Sequence, residues 1–311
     1  MHDMPPRERI LLRRDLIADG RSDEELARLV RSSQLVRMRR GAYLDGQLPT
    51  AVVARHALQI AATVAGLRRP AVVSHQSAAV LLGLPLWGAP LDQVHITRRP
   101  GASSQTTGPL RCHVARLRDD EVKTVGGHTV TDVARTILDL ARSLPFQPAV
   151  VTVDAALHEG LLSLPVLQQR LMDIAGTRGS RHAARVVAFA DGRSESVGES
   201  RSRVLLHGLG LAPSALQLRI TGSEGSFLGR SDFAWEEQRV LGEFDGRIKY
   251  GRLLRPGQDP GDAVFEEKRR EDAMRDAAWE VVRWTWSDLS VPAALGQRVQ
   301  RALDRGARHR R

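Results

Sequence analysis

The sequence predicts an α+β chain of several domains. Three observations carry that expectation. The length, 311 residues, is ample for two or three hydrophobic cores. Short apolar runs at strand spacing and apolar stripes at helical spacing both recur along the chain. From Ala190 onward the composition changes: four of the five tryptophans (Trp235, Trp279, Trp284 and Trp286) and two of the three lysines fall there. The predicted parts are residues 1–48, a small helix–helix–hairpin; residues 49–190, a mixed α/β and helical region; and residues 191–311, a domain of order α-β-β-β-α-β.

The N-terminal part begins with "RERILLRRDLIADG", which reads as a helix stopped by Gly20. "SDEELARLVRSS" follows, with Ser22 and Glu25 at capping-box spacing and Leu26, Leu29 and Val30 forming a helical stripe. "QLVRMRRGAYL" then predicts a basic hairpin turning at Gly41, with Leu35, Arg37 and Arg39 on one strand face and Val36, Met38 and Arg40 on the other. Two short helices and a basic hairpin make a small winged helix-turn-helix. Arg37, Arg39 and Arg40 are its candidate DNA contacts. A helical cap carrying a functionless Arg-rich hairpin is the other reading. The acidic first turn of the second helix (Asp23, Glu24, Glu25) suits the helix dipole but repels phosphates.

In the middle region "AVVARHALQIAATVAGL" reads as a helix with a buried face. "AVVSH", "QVHIT", "LRCHVARL" and "HTVT" read as strands, with "QSAAVLLGL" a helix among them and Ser74 its cap. Four helices follow: "DVARTILDLARSL", "PAVVTVDAALHEGLL", "LPVLQQRLMDI" and "SRHAARVVAFA". The ten histidines fit no metalloprotease or deaminase pattern, and His75 and His95 read as local hydrogen-bonding residues. No glycine-rich phosphate loop is present, so no nucleotide cofactor is expected.

"ADGRSESVG" reads as the entry to the last domain, followed by a helix ("ESRSRVLLHGL"), three strands ("LQLRI", "FLGRSDFAW", "RVLGEFDG"), a helix ("AVFEEKRREDAMRDAAW") and a strand ("EVVRWTW"). A turn centred on Glu237 and Gln238 sets Trp235 opposite Val240, Asp232 opposite Glu243, and Arg230 opposite Asp245. Opposed like charges destabilise a sheet, so Asp232, Glu243 and Asp245 on one face require compensation. A divalent cation such as Mg²⁺ or Mn²⁺ would supply it, and so would neutralisation by Arg230 and Lys249, or a proton shared between two carboxyls. Arg283, in "VVRWTW", either approaches nucleic acid or stacks on Trp284 or Trp286.

At these residues the sequence resembles known families. "GES" at 198–200, "GRSDFAW", "EFDG" and "EEKRREDAMRDAAWEVVRWTW" are similar to the PD-(D/E)XK nuclease superfamily, in the branch of the very-short-patch-repair endonucleases, over roughly residues 195–290. "LVRMRRGAYL", "VVSHQSAAVLLGLPLW", "VHIT" and "VTDVARTILDLA" resemble the AbiEi-type antitoxin group over roughly residues 5–190. The resemblance implies a restriction-endonuclease-like C-terminal fold. By position Asp232 would be the central metal ligand, Glu243 and Asp245 the acids of the adjacent strand, and Glu199 the helix acid. Where the superfamily often has lysine, two residues after the second acid, this chain has Asp245. Lys249 is then the candidate for the ammonium role. The histidines that the very-short-patch branch uses after its central strand have no counterpart nearby.

Charge and composition fit the same expectation. The formal net charge of +10 suits a polyanionic partner, and the preference for arginine over lysine equally fits a GC-rich genome. The basic tail "RVQRALDRGARHRR" reads either as a solvated helix end or as a DNA arm. A cytoplasmic protein is expected, because no apolar run is long enough to span a bilayer and the N-terminus lacks a signal core. The single cysteine, Cys112, rules out an internal disulfide. Two functions follow. One is a DNA-binding protein with a Mg²⁺-dependent endonuclease domain. The other is an antitoxin-like transcriptional regulator with an inactive nuclease fold and a cognate toxin as partner.

Overall fold

The computed structural model describes residues 10–101, 104–222, 225–246, 269 and 272–309. The chain is mixed α/β and forms two compact units that divide between Ala190 and Asp191.

The first unit opens with strand β1 (Ile10–Leu12), helices α1 (Arg13–Ala18) and α2 (Asp23–Arg31), and the hairpin β2 (Leu35–Arg39) and β3 (Ala42–Asp45). The sequence placed a helix where β1 lies. Instead Ile10 pairs with Leu44 and Leu12 with Ala42, and Leu12 is buried with Ala42 and Ala62. A third strand on the hairpin buries these side chains better than another helical turn would, so tertiary pairing overrides local propensity. The Ser22 cap forms as its spacing predicts, its Oγ accepting the Glu25 N–H at 3.1 Å. Leu16, Leu26, Leu35 and Tyr43 make the small core beneath the hairpin.

Helix α3 (Val52–Ala65) then leads to a six-stranded sheet built from β4 (Val72–Val73), β5 (Val94–Arg98), β6 (Gln105–Thr107), β7 (Leu110–Val114), β8 (Val122–Val125) and β9 (His128–Thr131). The order across the sheet is β6-β7-β5-β4-β9-β8, with β5 parallel to β7 and β4 parallel to β9. Strands β6 and β8 were not expected, because "QTT" and "VKTV" have too little apolar alternation to declare themselves. Helix α4 (His75–Leu82) follows β4 directly, and Ile60, Val73, Ile96, Cys112 and Val130 fill the adjoining core. Four helices complete the unit: α5 (Val133–Ser143), α6 (Phe146–His158), α7 (Leu164–Met172) and α8 (Ser180–Phe189).

The second unit runs α9 (Val197–Gly208), β10 (Ala215–Thr221), β11 (Phe227–Trp235), β12 (Val240–Asp245), β13 (Glu280–Thr285) and α10 (Pro292–His309). The sheet order is β10-β11-β12-β13; the first two pairings are antiparallel and β12–β13 is parallel. Of the helix expected before β13, residues 269 and 272–276 are described and helical; Lys268 lies outside the described residues. The basic tail packs as α10, which buries Leu295, Val299 and Ala302 against Phe233, Trp235 and Trp284. The buried indole of Trp284 donates to Ser202 Oγ at 2.7 Å, which satisfies its only polar atom. No described helix is long and apolar enough to cross a membrane.

Candidate functional site

The acidic patch of the second unit is built by β11, β12 and β13. Trp235 faces Val240, as the turn predicted, and the β11–β12 ladder continues through Ala234↔Leu241 to Phe233↔Gly242. That is the last register pair of the two strands. The Asp232 carboxylate takes the next position, its Oδ2 accepting the Phe244 N–H at 2.9 Å. Arg230 does not stand against Asp245 as the register implied. It pairs with Arg219 in the β10 ladder, and its guanidinium grips Glu195 at 2.7 Å.

The compensation for Glu243 and Asp245 comes from the other side. Parallel pairing sets Arg283 beside Glu243 and Thr285 beside Asp245. Arg283 Nη2 lies 2.8 Å from Glu243 Oε2, and Nη1 lies 3.6 Å from Asp245 Oδ2. Arg283 was expected to meet nucleic acid or a tryptophan. The two acids hold it, and the Arg201 guanidinium lies over Trp286, 5.4 Å from the ring. Glu243 is buried, and the Arg283 guanidinium beside it offsets its charge.

Glu199 sits in the first turn of α9 as a capping residue. Its Oε1 accepts from Ser196 Oγ at 2.7 Å, and its Oε2 accepts from the Glu195 N–H and Gln217 Nε2 at 2.9 Å each. Burial raises its pKa, and the nearby negative charge of Asp232 raises it further. Glu199 and Asp232 are therefore electrostatic neighbours. Lys249 lies outside the described residues.

As the side chains stand, protein groups neighbour each of these acids. Among the described residues no three carboxylates bring an oxygen each within 4.8 Å of one another, the condition that His75, His95 and His113 of the first unit do meet. Arg283 holds Glu243 and Asp245, and Asp232 holds a backbone N–H.

On the basic hairpin, a register shift between Arg37 and Arg39 breaks the strict alternation that the sequence implied. Arg37 and Arg40 are exposed. Arg39 is half-buried and donates from Nη1 to the Thr63 carbonyl of α3 at 3.2 Å.

His75 and His95 read from the sequence as local hydrogen-bonding residues, and both make such bonds, whereas His113 was not singled out. The structure gathers all three from α4, β5 and β7. Ser74 occupies the N-cap position without a capping bond; its Oγ meets His75 Nδ1 at 3.0 Å and accepts from Thr97 Oγ1 at 2.8 Å. The one sequence signal for this cluster was alternation: His95 and Thr97 share a strand face, and so do Arg111 and His113.

Fold and side-chain placement thus define a two-unit mixed α/β protein with a basic hairpin, an arginine-bridged acidic patch and a buried histidine cluster. The chain is 30% identical over 210 residues to two uncharacterised proteins from strains of Mycobacterium tuberculosis, a match covering 66% of this chain and 72% of each relative. It belongs to the same family as those proteins. No family model matches it.

Proposed function

We propose that this chain is a DNA-binding regulator of the antitoxin-like kind. Its N-terminal helices and hairpin act as a winged helix-turn-helix, and its second unit keeps a PD-(D/E)XK nuclease-like sheet without the cation site. The observation that carries the reading is the hairpin, where Arg37 and Arg40 extend into solvent behind two short helices and a three-stranded sheet. Guanidinium groups so placed suit phosphate contact. The arginine bridge across Glu243 and Asp245 supports binding without cleavage. A cytoplasmic setting and a cognate toxin as protein partner belong to the same reading. A neighbouring gene for a toxin-like nucleotidyltransferase would favour it.

The test is an electrophoretic shift of operator-region DNA from upstream of its own gene. Binding without cleavage, lost in the Arg37→Ala/Arg40→Ala double variant, is expected. Retention of binding by that variant refutes the hairpin as the DNA-contacting element.

One observation favours a second reading, a Mg²⁺-dependent endonuclease: Glu199 and Asp232 crowd their charges closely enough to raise the Glu199 pKa. A divalent cation would relieve that repulsion. Plasmid cleavage in Mg²⁺ or Mn²⁺, abolished by Asp232→Ala, would establish this second reading and displace the first.

A further inference from the structure

His75, His95 and His113 lie 18 or more residues apart in the sequence, and three separate elements bring them together. His75 opens α4 with a φ of 52°, in the left-handed region that a residue with a side chain adopts at a cost of about 1–3 kcal/mol. Strand β5 supplies His95 and strand β7 supplies His113, and their parallel register sets His113 beside Thr97 and Arg111 beside His95. His95 Nδ1 is 3.1 Å from His113 Nε2. The rings of His75 and His113 stack with centroids 3.7 Å apart. One ring nitrogen from each residue falls within 4.8 Å of the other two.

We propose that His75, His95 and His113 bind one divalent first-row transition-metal ion, Zn²⁺ by preference, with Asp139 supporting the site behind His75. The donor chemistry fits. Imidazole nitrogens suit Zn²⁺, and a tetrahedral ion with bonds of about 2.0–2.1 Å sets its nitrogens about 3.3 Å apart. The His95–His113 pair is already at that spacing. The stacked His75 ring has to fan out from His113 to complete the set. Burial holds His95 and His113 at about 3 and His75 well below the ordinary range, so all three are neutral at pH 7 and offer lone pairs.

A second observation points to a ligand. Asp139 is 1% exposed, and its Oδ1 takes Arg135 at 3.1 Å and Arg142 at 2.8 Å. Its Oδ2 is buried with no hydrogen-bond partner and lies 3.8 Å from His75 Nδ1. A carboxylate behind a metal-bound imidazole orients the ring and makes it a better ligand. Metal on His75 would strengthen that contact and give Oδ2 a partner. Arg111, Arg135 and Arg142 bring positive charge to this region, and the Asp139 carboxylate offsets the two that it holds. With two ligands buried and His113 half-buried, the ion would enter past His113 and staple α4 to the β5–β7 pair.

The test uses the untagged full chain stripped with EDTA and dialysed free of it. Calorimetric titration with Zn²⁺ is expected to show one equivalent bound with a Kd of about 1 μM or tighter. His113→Gln is expected to weaken it at least tenfold, with an unchanged far-UV circular dichroism spectrum in the metal-free state. Amide hydrogen exchange provides a readout that needs no variant: added Zn²⁺ should slow exchange in Val94–Arg98 and Leu110–Val114. Unchanged affinity in a folded His113→Gln protein overturns the proposal, because the ion then sits on other histidines. Unchanged exchange in both strands at saturating Zn²⁺ overturns it too, leaving a packed histidine cluster.

Discussion

Arg37, Arg39 and Arg40 look equivalent in the sequence, but the structure makes them unequal, and DNA binding should register the difference. Arg37 and Arg40 are exposed, whereas Arg39 is half-buried and tied to the Thr63 carbonyl at 3.2 Å. Each phosphate contact contributes about 0.9 to the slope of log K against log salt. The Arg37→Ala/Arg40→Ala double variant should therefore flatten that slope by about 1.8. Between about 50 and 200 mM salt, where the logarithm of the concentration changes by about 0.6, the parent should lose roughly 12-fold more affinity than the double variant. Arg39→Ala should leave the slope nearly unchanged and cost about 1 kcal/mol of stability through its lost hydrogen bond. Fluorescence anisotropy of a labelled duplex across a KCl series measures the slopes. If the double variant keeps the parental slope, or Arg39→Ala flattens it as much as the other two together, the hairpin assignment is wrong.

Three further predictions concern the structure itself. Arg283→Ala leaves the buried Glu243 charge without its guanidinium and should destabilise the second unit by about 3 kcal/mol; tryptophan fluorescence in a urea titration reads this, since four of the five tryptophans are in that unit, and an unmoved midpoint would contradict the ion pair. Gly242→Ala places a Cβ 2.7 Å from Trp284 Cη2, against an indole anchored by Ser202, and should cost about 1–3 kcal/mol in the same assay; a neutral effect would mean that the sheet yields there. The third is a pH dependence. The folded pKa of His95, about 3, lies below its unfolded value near 6.5, so the unfolded chain binds more protons between those limits. Stability is fully present above about pH 6.5 and drains as the pH falls toward 3, with His95 alone costing about 2 kcal/mol between pH 7 and 5. Amide exchange of the EDTA-treated protein at the two pH values, corrected for the intrinsic rate, should show α4, β5 and β7 opening more readily at pH 5, and equal protection would refute it.

Local rules wrote much of this molecule into its sequence. The Ser22–Glu25 cap, the hairpin that sets Trp235 against Val240, and the helices from Val133 to Phe189 each follow from residues within one or two turns of each other. Their determinants are spacing, capping groups and turn chemistry, all readable over a few positions. Strand β1 was not legible, because Ile10–Leu12 becomes a strand only where β3 offers an edge, at least 30 residues away in the chain.

The sites divide in the same way. That Asp232 would lie on β11 and Glu243 and Asp245 on the adjacent β12 was readable from the hairpin; that Arg283 would bridge Glu243 and Asp245 was not. Its position follows from the parallel pairing of β13 with β12, which brings together residues 40 apart in sequence. The histidine cluster depends on the same kind of event, the parallel pairing of β5 with β7 beneath the start of α4. The sequence by itself determined the elements and their amphipathic faces, since those depend on near neighbours. Only the tertiary structure decided which charges and which imidazoles meet, because strand pairing across long separations is chosen by burial of the whole sheet rather than by any local signal.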